Sequence, residues 1–277
     1  MKVNQNGRDY LKSIKIIGIR QFREVFRLLT TKIWIALCLL LITAFAIGAR
    51  AEHFPNGVIW SLFGRDIPEF TDYFLKVFIA VIFQIGLMFF VPVGVATLVY
   101  ENIDTPIASY YLSRPISRSQ IALGGLVGAF MAYTTFIVAT LVLLAFGVWV
   151  HSGEWLALFG YRILLFVPEA WALHAFLTAA VLLSRSAATG TVAYLGYVFL
   201  FSYLLKMRTA GVVIWEKVLN IILDGLNYIL PPLDGLTNLS GQSLETLDAI
   251  ILPILTAMLS VFVFSAVGVL IYKRLEF

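Results

Sequence analysis

ENIDTPIASYYLSRPISRSQIALGGLVG, residues 101–128, is a polar island between two uncharged apolar runs, Val77–Val99 before it and Ile121–Val150 after it. It carries Glu101, Asp104, Arg114 and Arg118, together with Ser109, Ser113, Ser117, Ser119 and two prolines. If the flanking runs cross a bilayer, the island stands in water at one face. It is too short for a domain and too patterned for a plain turn, so it reads as a docking loop over residues 101–120.

The composition supports the bilayer. The chain has 277 residues, 60% of them hydrophobic and only 13% charged, with a mean hydropathy of +0.91. Soluble domains are nearer half apolar and a quarter charged, so a soluble chain of this composition could not hide its apolar side chains. The expected fold class is an all-α polytopic membrane protein forming a single transmembrane domain over residues 1–277. Its six spans are expected at 33–49, 77–99, 121–150, 163–183, 187–205 and 249–271. The first span is short for a bilayer of about 30 Å, and is expected to begin a turn earlier, at Leu28 or Leu29. No cleaved signal peptide is expected, because the first apolar run follows a basic segment too long for an n-region.

Residues 8–32 read as an N-terminal amphipathic elbow helix on the membrane surface. At about 100° per residue, Arg8, Lys12, Lys15, Arg20, Arg23 and Arg27 share one arc, and Leu11, Ile14, Ile17, Phe22, Val25, Leu28 and Leu29 lie opposite. Such a helix buries its apolar side at the headgroup boundary and offers its cations to anionic lipid. Residues 50–76 read as a loop. Gly124 and Gly128 form a small-xxx-small pair that permits close backbone approach. A further helix at 212–230, interrupted by Glu216, Lys217, Asn220 and Asp224, is expected to lie in the interface or to dip part-way in.

Three spanning residues are candidates for a transport path. Gln84 reads first as a group that hydrogen-bonds between helices. Glu169 and His174 stand in the fourth span, where an ionisable residue is a functional hypothesis. The bland alternative for Glu169 is that Pro168-Glu169 opens the span behind an interfacial helix at 155–167, where free amides would stabilise the carboxylate. Six spans place both termini on one side. Thirteen of the 20 Lys and Arg fall on that side, so the positive-inside rule puts the termini and the island in the cytoplasm.

The chain lacks a G-x-x-x-x-G-K-[ST] phosphate loop, an H-E-x-x-H pair and a G-x-S-x-G elbow. Its histidines, His53, His151 and His174, are too scattered for a haem or zinc site, so no metal is expected. The lone Cys38 cannot form an intrachain disulfide. Nothing points to nucleic acid, and any uphill movement must draw on a partner or an ion gradient.

The island resembles the permeases of the ABC-2 family of ATP-binding cassette transporters. It is most similar to the six-span group containing the copper-site maturation permease of nitrous oxide reductase operons. The resemblance rests on Glu101, on Tyr111-Leu112-Ser113-Arg114-Pro115-Ile116-Ser117-Arg118, and on Gly124 and Gly128. Thr105-Pro106 stands where the family has Gly-Thr, and Gly125 where it has Lys. The resemblance implies a type V exporter-like transmembrane domain with no catalysis and no cofactor of its own. It would pair with itself or a related permease and with two copies of an ATPase subunit that binds the ATP, in a prokaryotic plasma membrane. It further implies that the island carries the ATPase-coupling residues, taken as Glu101, Tyr111, Ser113, Arg114, Pro115, Ser117 and Arg118. Two guanidiniums on a proline-stiffened bend can form forked hydrogen bonds to carboxylates. The competing class is a gradient-driven carrier or an intramembrane enzyme using Glu169 and His174.

Overall fold

The computed structural model describes residues 3–54, 57–67, 70, 79, 82, 86, 91–104, 116–153, 155–156, 158–201, 214–231 and 247–274. The described chain is mostly helical: α1 (Val3–Arg27), α2 (Leu29–Gly48), α3 (Val91–Asp104), α4 (Arg118–Ser152), α5 (Leu158–Ser184), α6 (Ala187–Gly196), α7 (Ile214–Ile229) and α8 (Leu247–Arg274). Among the described residues, four helices are long and apolar enough to cross a membrane: Leu29–Gly48, Arg118–Ser152, Phe159–Ser184 and Ile251–Arg274. Most of the expected second span, 77–99, lies outside the described residues. Of the fifth, α6 and a π-helical turn, Tyr197–Phe201, are described.

The expected elbow boundary at residue 32 is corrected. Leu28 is extended, with ψ 135°, and divides α1 from α2, so the span does begin at Leu29. Lys32 N–H still donates to the Leu28 carbonyl at 3.0 Å. The break therefore redirects the chain at little cost in hydrogen bonds.

The all-α expectation is also corrected. The segment read as a loop contains a three-stranded antiparallel sheet, β1 (Ala49–Phe54), β2 (Gly57–Leu62) and β3 (Arg65–Ile67), in the order β1-β2-β3. Ala49 pairs with Leu62 and Trp60 with Ile67. Phe63 and Gly64 both take positive φ, 51° and 79°, and make the second turn. Trp60 stacks on Phe70, with ring centroids 4.1 Å apart and planes 10° apart, and Phe45 of α2 closes the cluster 5.8 Å from Phe70. This aromatic burial stabilises a sheet too small to hold itself in water.

A third correction concerns Pro168. The chain does not turn there from an interfacial helix into a span; α5 is one helix from Leu158 to Ser184 with Pro168 inside it. Proline removes one backbone donor, a loss that membrane helices tolerate where neighbouring groups enclose the site. Pro168, Glu169 and Ala170 are all buried. Helix α5 is central and packs on α8, α6, α4 and α3.

Helix α4 is longer than the expected 121–150 because Ser117 caps it. The Ser117 hydroxyl accepts from the Gln120 amide while the Gln120 side chain accepts from the Ser117 amide, a reciprocal capping box. Helices α1 and α2 run beside α4 in the same direction. Tyr10 meets Gln120, Gly18 meets Gly128, Trp34 stacks near Phe136, and the Ala46 carbonyl meets His151.

Candidate functional site

The arms of the polar island come together at one end of the bundle. Helix α3 ends there with Glu101 and Asn102, α4 begins there with Arg118, and α8 ends there with Tyr272, Lys273 and Arg274. The Tyr272 hydroxyl donates to the Asn102 carbonyl at 2.8 Å. One Arg118 guanidinium nitrogen donates to the Lys273 carbonyl at 3.3 Å, where a cation also complements the negative end of the α8 dipole. Asn102 donates to Gln21 of α1 at 3.4 Å. Arg185 faces solvent in the tight α5–α6 turn with φ 50°. Ser117 is exposed, and its hydroxyl caps α4 and lies 3.0 Å from that of Ser119. Of the expected coupling residues, Tyr111, Ser113, Arg114 and Pro115 lie outside the described residues.

The expected membrane-surface cations sit on α1 as follows. Lys12, Lys15, Arg23 and Arg27 are exposed and Arg20 is half-buried. Arg8 falls on the α1 backbone with its side chain outside the description. Glu24 ties down Arg27 at 2.9 Å. The opposite face is occupied by protein. Ile17, Gly18, Gln21 and Val25 are buried, and a Cβ on Gly128 would collide with the Gly18 carbonyl oxygen. The small-xxx-small pair of α4 thus receives α1. The outward side of α1 interleaves the cations with Ile16 and Ile19, which are 60% and 41% exposed.

Glu169 and His174 are both buried in α5, and they occupy different neighbourhoods. The electrostatic counterpart of Glu169 is Arg162, two turns earlier on the same helix face. Arg162 is itself buried, with its guanidinium 5.6 Å from the Phe166 ring centroid. This residue was not foreseen as part of a site, although a spacing of seven from Glu169 was readable as a shared face. His174 instead faces α4. Its ring lies 5.3 Å from that of Tyr133 and edge-on to Phe130 at 5.7 Å, and its Nε2 lies 3.4 Å from the Thr178 hydroxyl. Trp171, one turn away, donates to the Phe130 carbonyl at 3.1 Å and to the Thr134 hydroxyl at 3.0 Å. Gln84 lies outside the described residues.

The C-terminal end of α7 is tied to its neighbours by two hydrogen bonds. The Ile229 carbonyl accepts from the Ser260 hydroxyl at 2.5 Å, and Ser260 stands midway along α8. The Pro231 carbonyl accepts from the Tyr197 hydroxyl. These two bonds tie the end of α7 to α8 and to the turn after α6.

Among the described residues, no group of three or more His, Cys, Asp or Glu could hold a metal. Compared with known proteins, the chain matches no family model and no curated protein.

Proposed function

We propose that this chain is the membrane-embedded permease subunit of an ATP-binding cassette transporter of the ABC-2 type. It works in pairs, with itself or a related permease, alongside two copies of a separate ATPase in a prokaryotic plasma membrane. The observation that carries the reading is the island at 101–120. Its Tyr111–Arg118 run resembles the family's coupling segment, and its two arms, α3 and α4, converge with Arg185, Lys273 and Arg274 on one end of the bundle. A loop anchored between two helices transmits force when a partner grips it, and the guanidiniums suit an acidic cleft. ATP would be bound and hydrolysed by the partner, and the permease would supply no chemistry.

The test is Arg114→Glu in the chain co-expressed with its ATPase. The variant is expected to fold normally while losing permease-stimulated ATP hydrolysis and transport. Co-purification with the ATPase and transport at the native rate would refute the docking assignment. The second reading, a gradient-driven carrier or intramembrane enzyme, draws on the burial of Glu169 and His174 in the central helix. It requires Glu169→Gln to abolish activity.

A further inference from the structure

A crevice opens at the island end of the bundle, between α1, α3, α4, α5 and α8. Asn102, Gln21 and Tyr272 line it, and along α5 it is lined by Leu182, by Thr178 one turn further from the island end, and by His174 one turn beyond that. At 1.5 Å per residue, His174 lies about 12 Å along α5 from Leu182 at the rim. One wall is opened by Gly125, where an added Cβ would meet nothing within 4 Å. The cavity measures about 30 Å³, room for roughly two water molecules.

We propose that this crevice is a binding site for ordered water, and that it connects His174 to the aqueous phase at the island end. Three observations converge. His174 is 3% exposed, yet its Nδ1 has no hydrogen-bond partner among the described residues. A buried polar atom left unpaired is costly, and a small polar molecule in the crevice satisfies it. Buried water requires two to four polar partners. The hydroxyls of Thr178 and Tyr272 and the amides of Gln21 and Asn102 supply them along the path, whereas an all-aliphatic cleft of this size would stay dry. The third observation is the chemistry of the imidazole. Whichever tautomer His174 adopts toward Thr178, Nδ1 presents the complementary role, and water can both donate and accept. Two of its walls are the arms of the island, α3 and α4. Hydration itself does not depend on the proposed transport function.

The experiment uses thiol reactivity, with the single native cysteine removed as Cys38→Ala. Full-length variants carrying Gly125→Cys, Thr178→Cys or, as a control on the outer surface of α4 beyond the crevice lining, Val127→Cys are placed in nanodiscs open on both faces. Each is treated with a small methanethiosulfonate cation, which reacts with the thiolate form that needs water. Labelling at 125 and 178 is expected to be at least tenfold faster than at 127. Gly125→Leu added to Thr178→Cys is expected to slow labelling at least tenfold. Complete reaction after denaturation confirms that each thiol is present, and the near-isosteric Thr178→Cys preserves the fold. Rates at 125 and 178 no higher than at 127 would overturn the proposal. So would a rate at 178 indifferent to Gly125→Leu.

Discussion

Glu169 and Arg162 make the strongest residue-scale statement about this fold, because two ionisable side chains in an apolar helix must answer to each other. Both are buried and the carboxylate acts electrostatically on the guanidinium, so removing one leaves the other charge less compensated, whereas replacing both with apolar residues is often neutral. Glu169→Leu is therefore expected to lower stability severely. Glu169→Leu combined with Arg162→Leu should recover most of the loss, as read from the thermal or denaturant midpoint of the purified protein. If the double variant is as unstable as the sum of the singles, the two charges are independent. Glu169→Gln separates structure from chemistry: transport at the native rate would remove the carrier and intramembrane-enzyme readings. In the sequence, Glu169 stood out as ionisable, but its partner did not. Arg162 read as a cation just beyond the expected span at 163–183. Burial on both sides of Pro168 overrode the local helix-start signal, as tertiary enclosure can in a membrane helix.

At the scale of elements, the contact between α1 and α4 decides where the basic helix lies. It depends on three glycines, Gly18, Gly124 and Gly128, whose missing side chains let the backbones touch. Gly128→Leu forces the helices apart. Overpacking of this kind typically costs about 1–3 kcal/mol. Trypsin cleavage at Arg20, Arg23 and Arg27 should accelerate, while Gly160→Ala, which meets nothing within 4 Å, should leave it unchanged or slower. Unaltered cleavage in Gly128→Leu would mean that α1 is held by other contacts. The end of α7 gives a second expectation. Tyr197→Phe deprives the buried Pro231 carbonyl of its donor, at about 1–3 kcal/mol, and should lower the denaturant midpoint more than Ser260→Ala, whose acceptor on Ile229 is part-exposed. Helix existence was legible from apolar runs, and the start of α2 at Leu29 was legible from span length. The Ser117-x-x-Gln120 capping box was also present in the letters and extends α4 by a turn. The sheet was not legible. Its strands are short, the outer two carry charges, and Trp60 is packed by Phe45 and Phe70, which lie outside the sheet.

For the whole molecule, the controlling question is which face meets the cytoplasm, since any docking partner must reach the island. Helix α7, at 16 residues, extends about 24 Å at 1.5 Å per residue, short of the roughly 30 Å hydrocarbon core. The ends of α3, α5 and α8 and the start of α4 therefore share one face, and the sheet occupies the other. The sequence expectation of thirteen of the 20 Lys and Arg on the island side is what makes a cytoplasmic island the proposal to be tested. In a Cys38→Ala background, Glu52→Cys on exposed β1 should react with an impermeant maleimide applied to intact cells. Ser119→Cys should react only after the membrane is opened. The reverse pattern would place the island outside, where no cytoplasmic ATPase could touch it, and would end the proposed function whatever the permease itself binds. Labelling of both positions in intact cells would show instead that α2 and α4 do not hold opposite faces. In that case the shared direction of α1, α2 and α4, and with it the spanning arrangement of the bundle, would have to be abandoned.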